Sequence, residues 1–474
     1  MTIQKQRLTV GLEVHAELNT QTKLFCGCKN AFGAPPNTLC CPVCLGLPGA
    51  LPVMNRAAVT AAVRLGLALG ADIQRRSRME RKHYAYPDSP KGYQITQLSH
   101  PICTGGSLSF WCGDALRRVG ITRVQIEEDA GKLLYDEAGN TLVDYNRCGV
   151  PLLEIVTEPQ LHSAQEAKAF LEELARVLLA LGISDGKLQE GSLRADVNVS
   201  WGGDVLGPRV ELKNVASFGA VARGVAAEAA RQREILDAGG SVARQTRRWE
   251  DARRESVLLR GKEELEDYRF FPEPDLPDLI LAEREVCALA ATVPELPAAR
   301  AGRYRALGLA PDKADALAAD RSRSDFYDAC CAAAPAGAQA FANWLLGDVA
   351  RLLREQTASL AQTPLTPAKL CELQEMVDAG ELSVTAAKRV LEVLLERESA
   401  PRTAAQALDL LTLRDADCLR ELAARVLAQN PQAAADYRAG KQNALGYLTG
   451  QCMKESRGKA DPLQVKNCLL ELLR

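Results

Sequence analysis

Apolar and polar residues alternate at every second position in five short segments within the first 290 or so residues. Turn-forming residues such as Gly, Pro, Asn and Asp lie at the ends of these segments. This period-two pattern predicts β-strands that turn one face toward a core. The five segments are RLTVGLEVHAEL (7–18), GITRVQIEED (120–129), LLEIVTE (152–158), LRADVNVSW (193–201) and RVELKNV (209–215).

Longer stretches between these strands carry apolar residues at helical spacing, near residues 55–69, 163–182 and 218–238. Strand signals end after FFPEPDLPDLIL (270–281), and Ala, Leu, Arg and Glu at helical spacing dominate the remaining chain. We therefore predict the α+β class. A large domain with a mostly antiparallel sheet comes first, followed by an all-α helical domain and a small helical tail domain.

The length supports this division, since 474 residues exceed what one ordinary hydrophobic core holds together. A second change of composition lies near residues 397–406. From the two changes we place the domains at 1–290, 291–403 and 404–474.

Composition narrows the class of protein. Hydrophobic residues make up 47% and charged residues 25%, as in ordinary globular domains. No run of 18 or more apolar residues occurs, and the opening MTIQKQRLTV has no apolar signal-peptide core. We therefore expect no membrane span and a cytoplasmic location. The net charge of −2 means that nucleic-acid binding would need a local basic patch.

The chain has fifteen cysteines, and most are scattered among apolar residues, for example Cys287, Cys371 and Cys468. An odd count with this scatter indicates buried thiols in a reducing compartment.

Five of the cysteines fall within residues 26–44. Cys26 and Cys28 form a C-x-C pair, and Cys41 and Cys44 form a C-x-x-C pair. Two close thiol pairs on turns with Gly and Pro are typical of a closed, structural zinc site, which would stabilise the loop without catalysing a reaction. An iron–sulfur or redox site, or a cluster that binds no metal, is the alternative.

The segment GLEVHAEL (11–18) contains three potential ligands at alternate positions. On a strand, Glu13, His15 and Glu17 project from one face. Oxygen ligands with a single imidazole favour Mg²⁺ over Zn²⁺, and magnesium in an acidic pocket is typical of phosphate chemistry. Solvated strand faces that bind no ion are the alternative. Further carboxylates lie in IEEDAGK, LLEIVTEP, GSLRADVNVS and VELKN.

The segment RKHYAYPDSPKGYQITQ (81–97) is rich in turn-forming residues and has two basic anchors, Lys82 and Lys91. Such a loop could hold a nucleotide or the charged end of a substrate. The chain has neither the P-loop pattern nor a dinucleotide-binding glycine pattern after a strand, so spacing alone does not identify ATP.

Long motifs along the chain resemble the GatB family, the B subunits of the aspartyl/glutamyl-tRNA amidotransferases. The resemblance runs from about residue 8 to the C-terminus. It rests on GLEVHAEL, KLFCGC, CPVCLGLPGALPVMN, YPDSPKGYQITQ, ITRVQIEEDAGK, DYNRCGVPLLEIVTEP, EGSLRADVNVS, ELKNVASF, DYRFFPEPDLP and GYLTGQCMKESRGKADP.

The resemblance implies a ligase that uses ATP, Mg²⁺ and a structural Zn²⁺. Such a protein phosphorylates the side-chain carboxylate of Glu-tRNA(Gln) or Asp-tRNA(Asn), and ammonia channelled from an amidase subunit then forms the amide. The expected partners are a GatA-like amidase, a small GatC-like subunit and the misacylated tRNA. The resemblance also implies that the pocket lies in the first domain, called the cradle.

By the same resemblance, each group of site residues has an expected role. Zinc ligands are expected at Cys26, Cys28, Cys41 and Cys44. Magnesium and catalytic positions are expected at Glu13, His15, Glu128, Glu154 and Asp196, with Glu211 and Glu127 as second choices. The nucleotide or aminoacyl end is expected near Lys82, Tyr86, Lys91 and Tyr93. Phosphate oxygens are expected near Lys132, Arg147, Arg194 and Lys213, for which surface ion pairs are the alternative.

The tail segment 438–474 has seven Lys or Arg and three Asp or Glu, a local charge of +4. The resemblance makes it a tRNA-binding module, with candidate contacts at Lys441, Lys454, Arg457 and Lys459, and a solvated helix face as the alternative. A second hypothesis for the whole chain is a zinc-stabilised RNA-binding scaffold whose catalytic pocket has decayed.

Overall fold

A computed structural model describes residues 7–187, 191–203, 205–260, 268–413, 415–456 and 458–473 of the chain. These residues divide into two compact units, Met1–Arg300 and Ala301–Arg474. The first unit has a large sheet with helices, and the second is helical, so the predicted α+β class is confirmed. The domain boundaries at 290 and 403 stay predictions. Within the described ranges, no helix combines the length and apolar composition that crossing a membrane requires.

The described strands are short except for β1, β8 and β12, which build the centre of the sheet. They are β1 Arg7–Glu17, β2 Asp72–Ile73, β3 Arg76–Ser77, β4 Glu80–His83, β5 Tyr93–Thr96, β6 Cys103–Thr104, β7 Ser107–Cys112, β8 Ala115–Glu128, β9 Lys132–Tyr135, β10 Thr141–Asp144, β11 Pro151–Thr157, β12 Leu193–Gly202, β13 Val210–Lys213, β14 Gln245–Glu250, β15 Glu255–Arg260, β16 Phe271–Pro272 and β17 Leu279–Ile280.

The described α-helices are α1 Arg56–Ala68, α2 Ala164–Leu181, α3 Phe218–Asp237, α4 Glu283–Ala290, α5 Pro297–Ala306, α6 Pro311–Ala318, α7 Arg321–Ala333, α8 Ala338–Trp344, α9 Ala350–Glu355, α10 Pro367–Asp378, α11 Val384–Glu396, α12 Pro401–Ala407, α13 Ala416–Gln429, α14 Pro431–Arg438, α15 Asn443–Glu455 and α16 Pro462–Leu473. A π-helical turn, Leu345–Val349, joins α8 to α9, and short 3₁₀ turns are Tyr145–Arg147, Pro335–Gly337 and Leu360–Gln362.

The large sheet has the strand order β15-β14-β13-β12-β1-β11-β8-β6-β2, with β7 paired to β8. Neighbouring strands are antiparallel except for β13 and β14, which are parallel. The parallel pair is joined through α3, because parallel strands need a crossover connection. The smaller pairings are β16-β4-β5, β10-β9 and β17-β3.

One face of the large sheet forms the core of the first unit. On β1, alternate residues Val10, Leu12, Val14 and Ala16 are at most 1% exposed, as the period-two pattern predicts. Helices α1, α2 and α3 contact the sheet, and α2 also contacts α1 and α3. The core therefore occupies one side of the sheet, and the other side is available to polar residues.

The helices on the sheet begin at side-chain caps, which satisfy backbone amides that have no helical partner. Ser163 accepts a hydrogen bond from the Glu166 amide at the start of α2, and Ser217 does the same for Ala220 in α3. Helix α2 ends at Gly182, whose φ of 65° suits glycine. The three helices predicted in this region agree with α1, α2 and α3 to within two residues.

The second unit has helices throughout its described residues. Helices α7 and α10 contact each other, as do α11 and α12. Helices α13–α16 share a separate hydrophobic cluster that includes Leu422, Leu448 and Leu469. The cluster lies in the segment predicted as a tail module.

The core of the first unit can be tested at Phe170 in α2, which is 0% exposed and packs edge-on against Phe110. Phe170→Ala should lower the free energy of unfolding by about 3–5 kcal/mol, because it leaves a cavity in a packed core. Urea unfolding followed by tryptophan fluorescence measures the change.

Leu179→Ala is the matched control on the same helix, since Leu179 is 49% exposed. It should change the free energy of unfolding by no more than about 0.5 kcal/mol. Equal effects of the two substitutions would contradict the burial of Phe170 in the core.

Candidate active site and cysteine cluster

The face of the sheet opposite the core has charged side chains on five adjacent strands. Directly opposite residues in an antiparallel pair project to the same side, so register decides which side chains meet. His15 on β1 lies opposite Glu154 on β11, and Glu13 lies opposite Asp196 on β12. Glu127 on β8 lies opposite Leu152, two residues before Glu154 on β11, and so projects to the same side as Glu154. Four strands thus bring these five side chains together.

His15 is the centre of this group, which we call the acidic cluster: Glu13, His15, Glu127 and Glu154. The Nε2 atom of His15 lies 3.2 Å from Oε1 of Glu127, 3.6 Å from Oε2 of Glu154 and 4.0 Å from Oε1 of Glu13. Glu127 and Glu154 are almost fully buried. Ligand atoms of Glu13, His15 and Glu154 all lie within 4.8 Å of one another, close enough to share one metal ion.

The electrostatics of the acidic cluster follow from its burial. Burial, and then the charge of Glu154, raises the pKa of Glu13 above its ordinary value. Burial alone would lower the pKa of His15, but the charge and hydrogen bond of Glu127 outweigh it and raise that pKa. Burial alone would raise the pKa of Glu127, and the positive charge of His15 lowers it instead. Arg123 also pairs with Glu154 at 3.3 Å, so one imidazole and one guanidinium face three carboxylates, which favours binding of a further cation.

Asp196 on β12 and Glu211 on β13 both contact Lys213, the last residue of β13. Lys213 Nζ lies 2.7 Å from Asp196 and 3.4 Å from Glu211, and Thr246 donates a 2.8 Å hydrogen bond to Glu211. Burial alone would lower the pKa of Lys213, but the charges of Asp196 and Glu211 raise it. This ammonium therefore stays charged beside the acidic cluster.

A second ion-pair group lies beside the acidic cluster on the same face, since Arg194 on β12 is opposite His15 on β1. Arg194 donates a 2.7 Å hydrogen bond to Asp129, and Arg147 approaches the same carboxylate to 3.4 Å. Burial, and then the charge of Asp129, raises the pKa of Glu17 to about 7. The Nε atom of Arg194 is buried and has no hydrogen-bond partner among the described residues. The guanidinium therefore retains a donor that could serve a ligand.

A cavity of about 670 Å³, which we call the chamber, opens onto this face. Strands β4 and β5 contribute Lys82 and Gln94 to its wall. The wall combines carboxylates for a cation with basic groups for an anion. It includes Glu13, His15, Lys82, Tyr84, Gln94, Glu127, Asp129, Glu154, Arg194, Asp196, Lys213 and Asn214.

Two smaller cavities lie beside the chamber, and neighbouring cavities share wall residues. One of about 120 Å³ is lined by Gly46 and Leu47 of the cysteine loop and by Lys91 and Glu128. A narrow cavity shares Lys91 and Glu128 with it and shares Tyr84, Gln94, Asp129 and Ala130 with the chamber. The three cavities form a row: the cavity at the cysteine loop, then the narrow cavity, then the chamber with the acidic cluster. The Lys91–Glu128 ion pair lines the first two.

The structure places Glu128 away from the acidic cluster. Neighbouring residues of a strand project to opposite faces, so Glu127 joins His15, and Glu128 binds Lys91 and the amide of Ile95. Glu128 is an even number of residues from Val124 and Ile126, both 0% exposed, so it shares their face of the strand. This alternation is the signal in the sequence that assigns Glu127 and Glu128 to different faces.

The predicted basic and aromatic residues also divide between the chamber, the two smaller cavities and positions outside them. Lys82, Arg194 and Lys213 line the chamber, whereas Lys91 lines the two smaller cavities. Tyr93 also lines both smaller cavities, and the Arg81 guanidinium lies 4.2 Å from the centroid of its ring. Two predicted positions lie elsewhere: Tyr86 is mostly exposed, and Lys132 is exposed on β9. Sequence analysis missed Tyr84, Gln94, Asp129 and Asn214, which have no motif of their own.

The four predicted zinc ligands come together in the loop after β1. The sulfur atoms of Cys26, Cys28, Cys41 and Cys44 lie within 4.8 Å of one another, which fits a tetrahedral Cys₄ site. The amide of Cys41 donates a 3.1 Å hydrogen bond to Cys44 Sγ. A hydrogen bond from Cys26 lowers the pKa of Cys44 to about 4, against burial, which raises it.

The tail residues are partly paired. Lys441 binds Asp436 at 3.0 Å, Lys459 binds Asp409, and Lys454 lies in the last turn of α15. Arg457 lies outside the described residues. The tRNA contacts of the tail stay predictions.

Comparison with known proteins gives a consistent family. The model of the GatB/GatE catalytic domain matches residues 8–287, and the model of the GatB domain matches residues 325–473. Three similar proteins are all named as B subunits of the aspartyl/glutamyl-tRNA(Asn/Gln) amidotransferase. The one from Anaeromyxobacter sp. (strain K) is 47% identical over 99% of both chains. Those from Caldanaerobacter subterraneus subsp. tengcongensis and Brevibacillus brevis are 44% and 41% identical over 98% and 99% of both chains.

The Cys₄ group predicts its own metal content. The purified chain should contain about one zinc ion, and the double variant Cys26→Ser/Cys41→Ser should lose it, because only one thiol of each pair remains. Metal analysis by inductively coupled plasma mass spectrometry after dialysis measures the content.

Cys40→Ser is the matched control, because Cys40 lies in the same loop but outside the group of four. It should keep its zinc. A double serine variant that folds and retains the metal would remove the assignment.

Proposed function

The chain belongs to the GatB family, and from this premise we propose that it is the B subunit of a tRNA-dependent amidotransferase, a ligase. It phosphorylates the side-chain carboxylate of Glu-tRNA(Gln), Asp-tRNA(Asn) or both with ATP, and ammonia then converts the acyl phosphate into the amide. The products are Gln-tRNA(Gln) or Asn-tRNA(Asn), ADP and inorganic phosphate. The observation that carries the proposal is the acidic cluster in a chamber that also has basic groups.

The chemistry needs activation because a carboxylate is a poor electrophile. Transfer of the γ-phosphoryl group to a carboxylate oxygen gives it a leaving group, and ammonia then displaces phosphate at the carbonyl carbon. Phosphoryl transfer depends mainly on positioning and on neutralisation of charge, with no protein nucleophile. A chamber with carboxylates on four adjacent strands and with basic groups in its wall suits those two requirements.

The residues of the acidic cluster fit Mg²⁺. Glu13, His15 and Glu154 would hold the ion, with Glu127 orienting His15 through its 3.2 Å contact. When bound, Mg²⁺ supplies positive charge next to the phosphate oxygens. Lys213 and Arg194 would bind phosphate oxygens directly, since both line the chamber and Arg194 has a free buried donor.

The row of cavities supports delivery of ammonia from outside the chamber. The cavity at the cysteine loop shares no lining residue with the chamber, so an amidase subunit seated there would supply ammonia through the Lys91–Glu128 position. The proposed partners are this GatA-like subunit, the small GatC-like subunit and the misacylated tRNA. The tail module and its lysines would bind the tRNA, and the complex would work in the cytoplasm.

The alternative function, an RNA-binding scaffold without catalysis, is less well supported by the site. A decayed pocket has no reason to keep buried carboxylates, because burying a charge that serves no ligand costs stability. Glu127 and Glu154 are buried, and among the described residues the cations in contact with them are the His15 imidazole and, for Glu154 alone, the Arg123 guanidinium.

Glu154 tests the catalytic proposal. In the complex with both partner subunits, Glu154→Gln should lower the rate of amide formation by at least about 100-fold, since it removes one of the charges that hold the cation. Binding of the misacylated tRNA should be unchanged. Thin-layer analysis of the released amino acid measures the product, and filter binding measures the tRNA affinity.

Glu137→Gln is the control, because Glu137 is exposed in the turn between β9 and β10. It should leave both measurements unchanged. Unaltered amide formation by Glu154→Gln would refute the assigned role of the acidic cluster.

Substitutions at two neighbouring glutamates distinguish the proposed role of the chamber, where the reaction takes place, from that of the Lys91–Glu128 position, which ammonia would pass. Glu128→Gln should reduce amide formation with glutamine more than with added ammonium chloride, because free ammonia can reach the chamber without the Lys91–Glu128 position. Glu127→Gln, one residue away on the opposite face, should reduce both. Parallel assays with the two ammonia sources make the comparison, and an equal loss in both assays for Glu128→Gln would place Glu128 in the chemistry instead.

A further inference from the structure

Lys23 is a buried lysine next to the Cys₄ group. It is 0% exposed, and its described side-chain partners are few: Cys44 Sγ at 3.7 Å from Nζ and the Tyr145 carbonyl oxygen at 3.5 Å. An ammonium group in the interior costs stability unless a negative charge or several acceptors face it. The hydrogen-bond partners of the Lys23 ammonium are one neutral carbonyl and one sulfur atom, and of these two the sulfur is the one that can carry a negative charge.

The backbone of Lys23 contacts the other cysteine pair. Its amide donates a 3.0 Å hydrogen bond to the carbonyl oxygen of Cys28, and Thr22 and Lys29 pair as a β-bridge around the same turn. The C-x-C pair therefore lies in a turn that Lys23 closes, while the Lys23 ammonium reaches Cys44 of the C-x-x-C pair. One residue joins both halves of the Cys₄ group.

A metal ion in this group would leave a charge for Lys23 to balance. Four thiolates around one Zn²⁺ have a net charge of −2 in a partly buried loop. An ammonium beside one thiolate reduces that charge by one, and charged partners of metal ligands typically change metal affinity about 10- to 100-fold. The buried position of Lys23 is thus explained by a metal-bound thiolate at Cys44.

We propose that Lys23 is a positioning residue of the Cys₄ metal site, with its ammonium balancing the Cys44 thiolate and its amide holding the turn that presents Cys26 and Cys28. The proposal rests on the Cys₄ site and is independent of the amidation reaction. Gly149 shows how closely the parts fit. Its φ is 78°, and a Cβ there would lie 3.6 Å from Cys44 Cβ, 3.7 Å from Lys23 Cδ and 3.8 Å from Oε2 of Glu128, whose carboxylate is paired with Lys91.

Lys23→Met tests the proposal in the full chain, because Met has similar length and no charge. The variant should bind Zn²⁺ about 10- to 100-fold more weakly in competition with a chromophoric chelator. Lys29→Met is the matched control: the same substitution in the same loop, at an exposed lysine that lies across the β-bridge. It should bind Zn²⁺ within about twofold of the unmodified chain, since rim charges have little effect.

A spectroscopic signature separates a charge partner from a residue that only fills space. In the Co²⁺-loaded chain, the loss of a positive charge beside a thiolate should move the sulfur-to-cobalt charge-transfer band to lower energy. Lys23→Met should show this shift, and Lys29→Met should not. Lys23→Arg keeps the charge and should restore the band toward its original position.

Every outcome decides the question. A folded Lys23→Met variant with unchanged zinc affinity and an unmoved cobalt band would overturn the proposal, and so would an unmodified chain that binds no zinc. If Lys23→Met does not fold, Lys23→Gln, which keeps a donor without the charge, takes its place in both measurements. Unchanged affinity in that variant would also overturn the proposal.

Discussion

The contact between one imidazole and several buried carboxylates is the interaction on which the site depends. His15 lies within 4.0 Å of three glutamates, two of which are almost completely buried. The charge is tolerated because Arg123 pairs with Glu154, and because Lys213 and Arg194 lie next to the group in their own ion pairs with Asp196 and Asp129. The opposite face of the same strands packs an apolar core. The large sheet thus has an apolar face that packs the core and a charged face that forms the site.

Much of the fold could be predicted because the alternation of the strands is strong. Each of the five period-two segments contains a strand of the large sheet, and the helices that cover it begin at capping residues visible in the sequence. The site was predictable in part. Glu13, His15, Glu154 and Asp196 meet because their strands pair in one register, yet register follows from pairing between distant segments and cannot be deduced from any one segment.

The predicted residues that lie outside the chamber show the same limit in detail. Glu127 and Glu128 are adjacent, and only parity with buried Val124 and Ile126 tells which one reaches His15. Tyr86 lies in a loop and Lys132 at the start of a short strand outside the large sheet. Their motifs predicted what kind of group they could bind, but did not predict where the two side chains lie. Gln94 reaches the chamber from a separate small sheet and Tyr84 from the residue after β4 of that sheet, and no local pattern could place them there.

The cysteine loop forms part of the wall of the cavities next to the site. Cys44 and Gly149 line both small cavities, so the loop forms part of the wall beside the Lys91–Glu128 pair. A reactive acyl phosphate and a diffusing base must both be kept from water, which requires walls that hold their shape. A metal-bound loop gives such a wall with few residues.

The central position of β1 has an evolutionary consequence. It pairs with β11 on one side and β12 on the other, so a single-codon insertion or deletion within Arg7–Glu17 could not be absorbed at a free edge. It would exchange the core-facing and chamber-facing residues beyond that point. Lineages that carry this protein should therefore accumulate gaps in exposed turns such as the one between β9 and β10, while this strand diverges only by replacement of one amino acid with another.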